Sequence, residues 1–492
     1  NKKKTTPLQR IIYRCKKGKN EYKTRFAVFG FRYCEVGADD FSDLGDADFT
    51  AVAVYSDMKQ TGFFDSSNSL LNRFVENTIW SAKSNFLDIP TDCPTRERHG
   101  WTGDAQIFFD TASWIFDCAA FSRKYVQDMF DWQRKDGCLP QIVPEGGVDP
   151  YMYTMNGSVG WADAGVLIPY RFWKHYGDSS ILKKYYKGMK KYAWFMMKRC
   201  GKHTILSKPL RIPKAYRKYA VNVGQSYGEW AEPEDVHPNK WTDMILPHPE
   251  VSTAYTCFVM EHMAEIAAEL GEKKDAAVCR EYADQVCRAY QEIRKLPEFT
   301  LDTDRQAMLV RPLYMNLLDK NERKYAQKRL VKALEHYDWR LGTGFLSTPL
   351  ILDVLSEINI EYAYRLLENE EMPGWLFMPK HGASTVWESW EGTEAQNGIA
   401  SLNHYSKGAV CAWLFETMCG IRIDGENHFR ICPKPGGKFA YAGASYDSVY
   451  GKVSCRWEKN DKGVKYTVEI PSNTTALIVI PGMKPFEIKA GR

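Results

Sequence analysis

The sequence predicts a mainly α-helical fold, a closed toroid of paired helices set between two β-rich ends. Three observations carry that reading. Through the centre, apolar residues recur every three or four positions; toward both ends they alternate or cluster in short runs; and three long loops, roughly 136–160, 201–250 and 372–400, are rich in Trp, Gly, Pro and acidic residues. The loops decide between a solenoid, a globin-like bundle and a ring. Connections that carry chemistry, rather than bland Ser and Lys, are expected where one end of a closed ring builds a site.

The 492 residues amount to roughly three domains at about 150 residues each. Hydrophobic residues at 44% and charged residues at 26% exclude a disordered or collagen-like chain. The net charge of +5 is small for this size, so no nucleic-acid footprint and no polyanion partner is expected. Aromatic residues reach 14%, useful for filling a large core or stacking on sugars. No run of 18 or more apolar residues occurs, so no membrane span is expected. The opening Asn1-Lys2-Lys3-Lys4 has neither an initiator Met nor an apolar signal segment behind it, which leaves cytoplasm and periplasm both open. Thirteen Cys is an odd number, and several lie inside helical patterns, so a disulfide framework is not expected. With no CxxC pair and no HExxH cluster, no metal site and no cofactor are expected.

In chain order, residues 26–33 and 49–55 read as short β runs broken by Gly and Asp turns. They are expected to belong to a partial β-domain over 1–62 whose earlier part lies upstream, because two or three strands rarely stand alone. Helical periodicity begins at Leu71, Phe74, Val75 and Thr78 and recurs through 105–120, in Ile181, Tyr185, Met189, Tyr192 and Met196, and through 321–336 and 405–418. Ser252-Thr253 reads as the cap of an amphipathic helix that stops at Gly271. These segments define a helical ring over 63–420. Alternation then returns in Val464, Tyr466, Val468 and Ile470, so 421–492 reads as a small β-domain.

Chemistry concentrates at three places. Residues 90–106 hold Asp92, Arg96, Glu97, Arg98, His99, Trp101 and Asp104 just before an apolar helix, where free N–H groups favour carboxylates. Read as structure alone, Asp104 caps that helix and Asp92 closes an Asp-Cys-Pro turn. Gly160-Trp161-Ala162-Asp163 repeats the theme, as does Gly228-Glu229-Trp230 in part. An indole beside an acceptor carboxylate suits a sugar, which has an apolar C–H face and a rim of hydroxyls. The third place is Trp387-Glu388-Ser389-Trp390-Glu391, followed by Asn403-His404-Tyr405. Glycoside hydrolysis needs one carboxylic acid for the leaving oxygen and one carboxylate to attack or to activate water. Glu97 and Glu388 can supply the pair only if the ring closes, and at least one of Arg96 and Arg98 is expected to pair with an Asp.

Taken together, the Asp92–Gln106 block, Gly160-Trp161-Ala162-Asp163, Gly342-Thr-Gly-Phe-Leu, Gly382-Ala-Ser-Thr-Val-Trp387-Glu388 and Ser401-Leu-Asn-His404-Tyr resemble the α-L-rhamnosidases of glycoside hydrolase family 78. The resemblance implies an (α/α)6 barrel flanked by the N-terminal β segment and a C-terminal β-sandwich. It also implies an inverting mechanism that removes terminal α-L-rhamnose from glycosides or polysaccharides. Glu97 then corresponds to the general acid and Glu388 to the base that activates water, with the two carboxyls about 6.5–9.5 Å apart. Asp92, Asp104 and Arg96 would hold the sugar, Trp101, Trp161 and Trp230 would wall the pocket, and His404 would close it. Asp163 and Trp387 complete the expected binding set. Many members carry one more residue between Arg96 and Arg98; counting from Trp101, the Glu four before it and the Asp three after it keep the family spacing. A barrel acting on another deoxyhexose or a uronic acid, or a non-catalytic sugar-binding homologue, are the alternatives.

Overall fold

A computed structural model describes residues 9–491 except 43, 146–152, 205–206, 239 and 399. Twelve helical elements alternate between an outer and an inner ring. The pairs are α1 (Ser69–Asn85) with α2 (Thr102–Ile115), α3 (Ala119–Asp131) with α4 (Ala164–Tyr176), and α5 (Ser180–Arg199) with α6 (Pro249–Glu269). They continue as α7 (Lys273–Ile293) with α8 (Ala307–Tyr314), α9 (Lys320–His336) with α10 (Ile351–Ile358), and α11 (Ile360–Leu367) with an irregular helical segment, 406–418. The sequence separates the rings. Helix α2 is buried on nearly every side, as an inner helix must be, whereas α5 buries one stripe, Ile181, Leu182, Tyr185, Met189, Tyr192, Ala193 and Met196, and shows solvent a row of Lys.

All six inner elements face one axial cavity, contributing Asp110, Arg171, Tyr255, Tyr314, Asp353 and Glu416 in turn. Its volume of about 60 Å³ holds a few waters and is too small for a sugar ring. Closure joins the ends of the ring: Thr111 Oγ1 on α2 donates to Ala409 O at 2.7 Å, and Asn77 Nδ2 on α1 to Ala383 O at 2.8 Å. Residues some 300 positions apart in the chain thereby share one mouth.

Local sequence sets the boundaries. Asn68 caps α1 by accepting from Leu71 N, and Asp319 with Glu322 forms a capping box on α9. Helix α6 starts at Pro249, three residues before the expected Ser252 cap, because Pro at the first helical position is already set for the turn and loses no hydrogen bond there.

The C-terminal strands are β2 (Ile421–Ile423), β3 (His428–Ile431), β4 (Tyr441–Ser448), β5 (Gly451–Asn460), β6 (Gly463–Ile478) and β7 (Phe486–Gly491), joined by β1 (Gly62–Ser66) from the front of the chain. The order is β1-β4-β5-β6-β3-β2, with β7 also on β6. Strand β6 pairs antiparallel with β5 along its first half, then parallel with β3 beyond a register shift between Ile470 and Thr475, so the sheet curls over itself. Trp457 anchors it to the barrel through Nε1–H to Met418 O at 2.9 Å. Segments 26–33 and 49–55 differ from the expected strands. They are irregular, with bends at Phe26 and Arg32 and no ladder partner among the described residues, and Phe26 is 97% exposed.

Candidate active site

The loop before α2 is folded by reciprocal bonds. Asp92 N donates to His99 O and His99 N to Asp92 Oδ1, both at 2.9 Å, while Cys93 Sγ accepts from Glu97 N at 3.4 Å. Arg98 takes a left-handed backbone at φ 54° and donates to Val28 O at 3.0 Å. This turn delivers Glu97 to the ring's mouth, where Oε2 accepts from Trp101 Nε1 at 2.7 Å and Oε1 from Arg96 Nη2 at 2.6 Å.

Glu388 reaches the same guanidinium from the other end of the chain. Its Oε2 accepts from Ser401 N at 2.7 Å and its N–H donates to Ser401 O at 2.9 Å, which fixes the loop. Arg96 Nη2 lies 3.3 and 3.2 Å from its two oxygens. Glu97 Oε1 and Glu388 Oε2 are therefore no farther apart than the sum of their distances to Nη2, which falls short of the expected gap of about 6.5–9.5 Å. Arg96 stands between the carboxylates and draws both inward. Among the described residues Arg96 pairs with the two glutamates, and Arg98 donates to a backbone carbonyl. The side chains differ in exposure, 33% for Glu97 and 3% for Glu388, so one faces the open mouth and the other a dry wall.

Asp104 does not cap α2. Its Oδ1 accepts from Ser406 Oγ at 3.0 Å and lies 3.2 Å from His404 Nε2. Burial pushes Asp104 up to about 8 and His404 down to about 4, so both are neutral near pH 7. With the Nε2 proton directed at Asp104, His404 Nδ1 is a buried acceptor without a hydrogen-bond partner among the described residues. Burial, then the charge of Glu97, raise Asp92 well above the usual carboxylate range.

Three of the predicted indoles gather around a residue the sequence reading missed. Tyr227 meets Trp101 at 5.4 Å, Trp161 at 4.7 Å and Trp230 at 6.4 Å between ring centroids. Trp161 lies so close to α2 that a Cβ at Gly103 would sit 2.4 Å from the indole, which explains the glycine. The structure does not bring Asp163 to the carboxylate gap: Gly160 N and Tyr192 OH occupy its two oxygens at 2.6 and 2.7 Å, and burial raises it to about 6. Trp387 packs edge-on against Phe377 at 6.1 Å.

Buried cations support the walls. Arg311 holds Glu229 and Glu250, each at 2.5 Å, and Glu229 also accepts from Ser347 N at 2.6 Å, which ties the Trp230 loop to the inner ring. Lys407 is fully buried, donates to Ala231 O at 2.9 Å and lies 3.9 Å over Trp390. A single Lys or Arg inside an apolar helical run was the available signal for both. Among the described residues no three His, Cys, Asp or Glu are grouped to hold a metal ion.

The arrangement can donate a proton from one carboxyl and accept one at the other across a gap beside an aromatic wall. Comparison with known proteins agrees with a glycosidase. Residues 59–418 match the bacterial α-L-rhamnosidase six-hairpin glycosidase domain, and 423–491 the bacterial α-L-rhamnosidase C-terminal domain. The α-L-rhamnosidase of Streptomyces avermitilis is 32% identical over 482 residues, which cover 96% of this chain and 43% of that protein. A Formosa agariphila α-L-rhamnosidase is 31% identical over 477 residues, covering 95% and 49%. The crystal structure of the Streptomyces avermitilis enzyme complexed with L-rhamnose superposes with a TM-score of 0.75 at 30% identity, covering 89% of this chain and 42% of that one. The chain spans about half the length of the curated relatives it matches. With both of that family's domains present in order, on a barrel whose mouth holds paired carboxylates, the chain belongs to the bacterial α-L-rhamnosidases.

Proposed function

We propose that the protein hydrolyses terminal α-L-rhamnosides with inversion, Glu97 acting as general acid and Glu388 as general base. The observation that carries this is the meeting of both carboxylates at Arg96, one at the open mouth and one in a dry wall. An entering sugar takes the gap that Arg96 fills, and the carboxylates part to admit a water between Glu388 and the anomeric carbon. Glu388 removes the water's proton as it attacks; Glu97, on the solvent side where the aglycone leaves, protonates the departing oxygen. No cofactor is needed for these two transfers. Arg96 stays beside Glu97, where its charge balances the acid after the proton has left.

The sugar's other faces find partners of matching chemistry. His404 Nδ1 accepts from a hydroxyl, and Asp104, protonated up to about pH 8, donates to one. The wall of Trp101, Trp161, Tyr227 and Trp230 takes the C–H face and the deoxy carbon. The choice of rhamnose rests on the family and on the sugar bound to the Streptomyces relative. A panel of chromogenic glycosides tests it: turnover of the α-L-rhamnoside is expected, and turnover of another deoxyhexoside or a uronide with none of the rhamnoside overturns the substrate assignment.

A further inference from the structure

Between Lys183 and Lys218 the chain carries thirteen Lys and Arg and no Asp or Glu. Removing these thirteen from the net +5 leaves −8 for the rest of the protein, so the small overall charge hides a strongly polarised molecule. Ten of the thirteen are exposed, and none of those ten makes an ion pair among the described residues. Lys190, less exposed, is neutralised by Asp275, and the acid just upstream, Asp178, is taken by Arg123.

The placement is ordered. Lys183, Lys187 and Lys191 lie one per helical turn on one face of α5, and Lys198 follows on that face two turns later, in a row about 22 Å long. The row runs up the barrel's outer wall, and Lys202 and Lys208 in the segment that follows α5 are exposed as well. At its upper end Arg199 donates to Val223 O at 2.8 Å, four residues before Tyr227 in the sugar wall. The basic row therefore leads to the catalytic mouth.

We propose that this row is a docking track for an anionic polysaccharide, a uronic-acid-bearing chain whose rhamnosyl end enters the barrel. The inference rests on the glycosidase reading for that end of the chain. Charge spacing favours this occupant. A polyuronate carries one carboxylate per acidic sugar and lies along a single file of cations one to two helical turns apart, whereas duplex DNA presents one charge per about 1.7 Å and calls for a broad basic face. A lipid surface calls for a flat face with apolar side chains free to insert among the cations, and in this row Trp194, between Lys191 and Lys198, is half-buried.

The test uses the full chain and oligogalacturonate, with calorimetric binding at two salt concentrations. The quadruple variant K183E/K187E/K191E/K198E reverses exposed charges only, and a thermal melt alongside wild type confirms its fold. Oligogalacturonate is expected to bind wild type with an affinity that falls as salt rises, and to bind the variant at least about tenfold more weakly. Turnover of an aryl α-L-rhamnoside should stay within about twofold, since the row lies outside the mouth. Equal affinity for both proteins overturns the proposal, as does wild-type binding of duplex DNA or anionic vesicles as tight as that of the oligouronide. The glycosidase reading fails separately, through absent rhamnoside turnover with the track's binding intact.

Discussion

Glu97→Gln separates the proposed acid from a residue that merely holds the loop. The amide keeps the acceptor for Trp101 Nε1, now at 2.7 Å, so the wall stays in place. Two things are lost. The first is the charge opposite Arg96 at 2.6 Å; a hydrogen bond between charged groups is worth about 1.5–3 kcal/mol, or about 10- to 150-fold in rate, and this loss applies to every substrate. The second is proton donation to the leaving oxygen, about 10²- to 10⁴-fold, and it applies only where the aglycone is a poor leaving group. Measured as kcat/KM, the variant should fall by the first factor on 2,4-dinitrophenyl α-L-rhamnoside and by the product of both on methyl α-L-rhamnoside. Equal losses on the two substrates refute the acid role.

Glu388→Ala should abolish turnover while rhamnose affinity, read by calorimetry, changes only a few-fold, because the base acts on water more than on the sugar. Arg311→Met leaves Glu229 and Glu250 buried without their cation and should cost about 3–5 kcal/mol in denaturant unfolding; a loss under about 1 kcal/mol contradicts the buried triad's role. In the axial cavity, burial raises Glu416 to about 7, above its unfolded value, so its ionisation weakens the fold progressively as pH rises from about 4.5 to 7. Glu416→Gln should leave stability unchanged at pH 4 and raise it by up to about 3 kcal/mol at pH 8, since the amide oxygen still accepts from Trp114 Nε1; a gain confined to low pH reverses the argument.

Much of this was legible in the sequence because the signals are local. Helical periodicity located the ring, and the Asp92–Gln106 block placed Glu97, Trp101 and Asp104 at the start of an inner helix. What stayed hidden depends on contacts between distant residues. Arg96 reaches a glutamate 292 positions away, and nothing local said it would bridge two Glu. Asp163 sits beside Trp161 as a sugar acceptor would, yet a turn N–H and Tyr192 on a neighbouring helix consume it. Tyr227 reads as an ordinary loop aromatic until three indoles converge on it. The strand-like runs at 26–33 and 49–55 have β composition, but a ladder needs a partner that composition does not supply.

In the proposed mechanism Glu388 directs water straight at the anomeric carbon from the face opposite Glu97. The most direct test is proton NMR of the first sugar released from an aryl α-L-rhamnoside, recorded before mutarotation. Direct displacement gives β-L-rhamnose; α-L-rhamnose as the first product would mean a covalent intermediate and would contradict the roles of both glutamates.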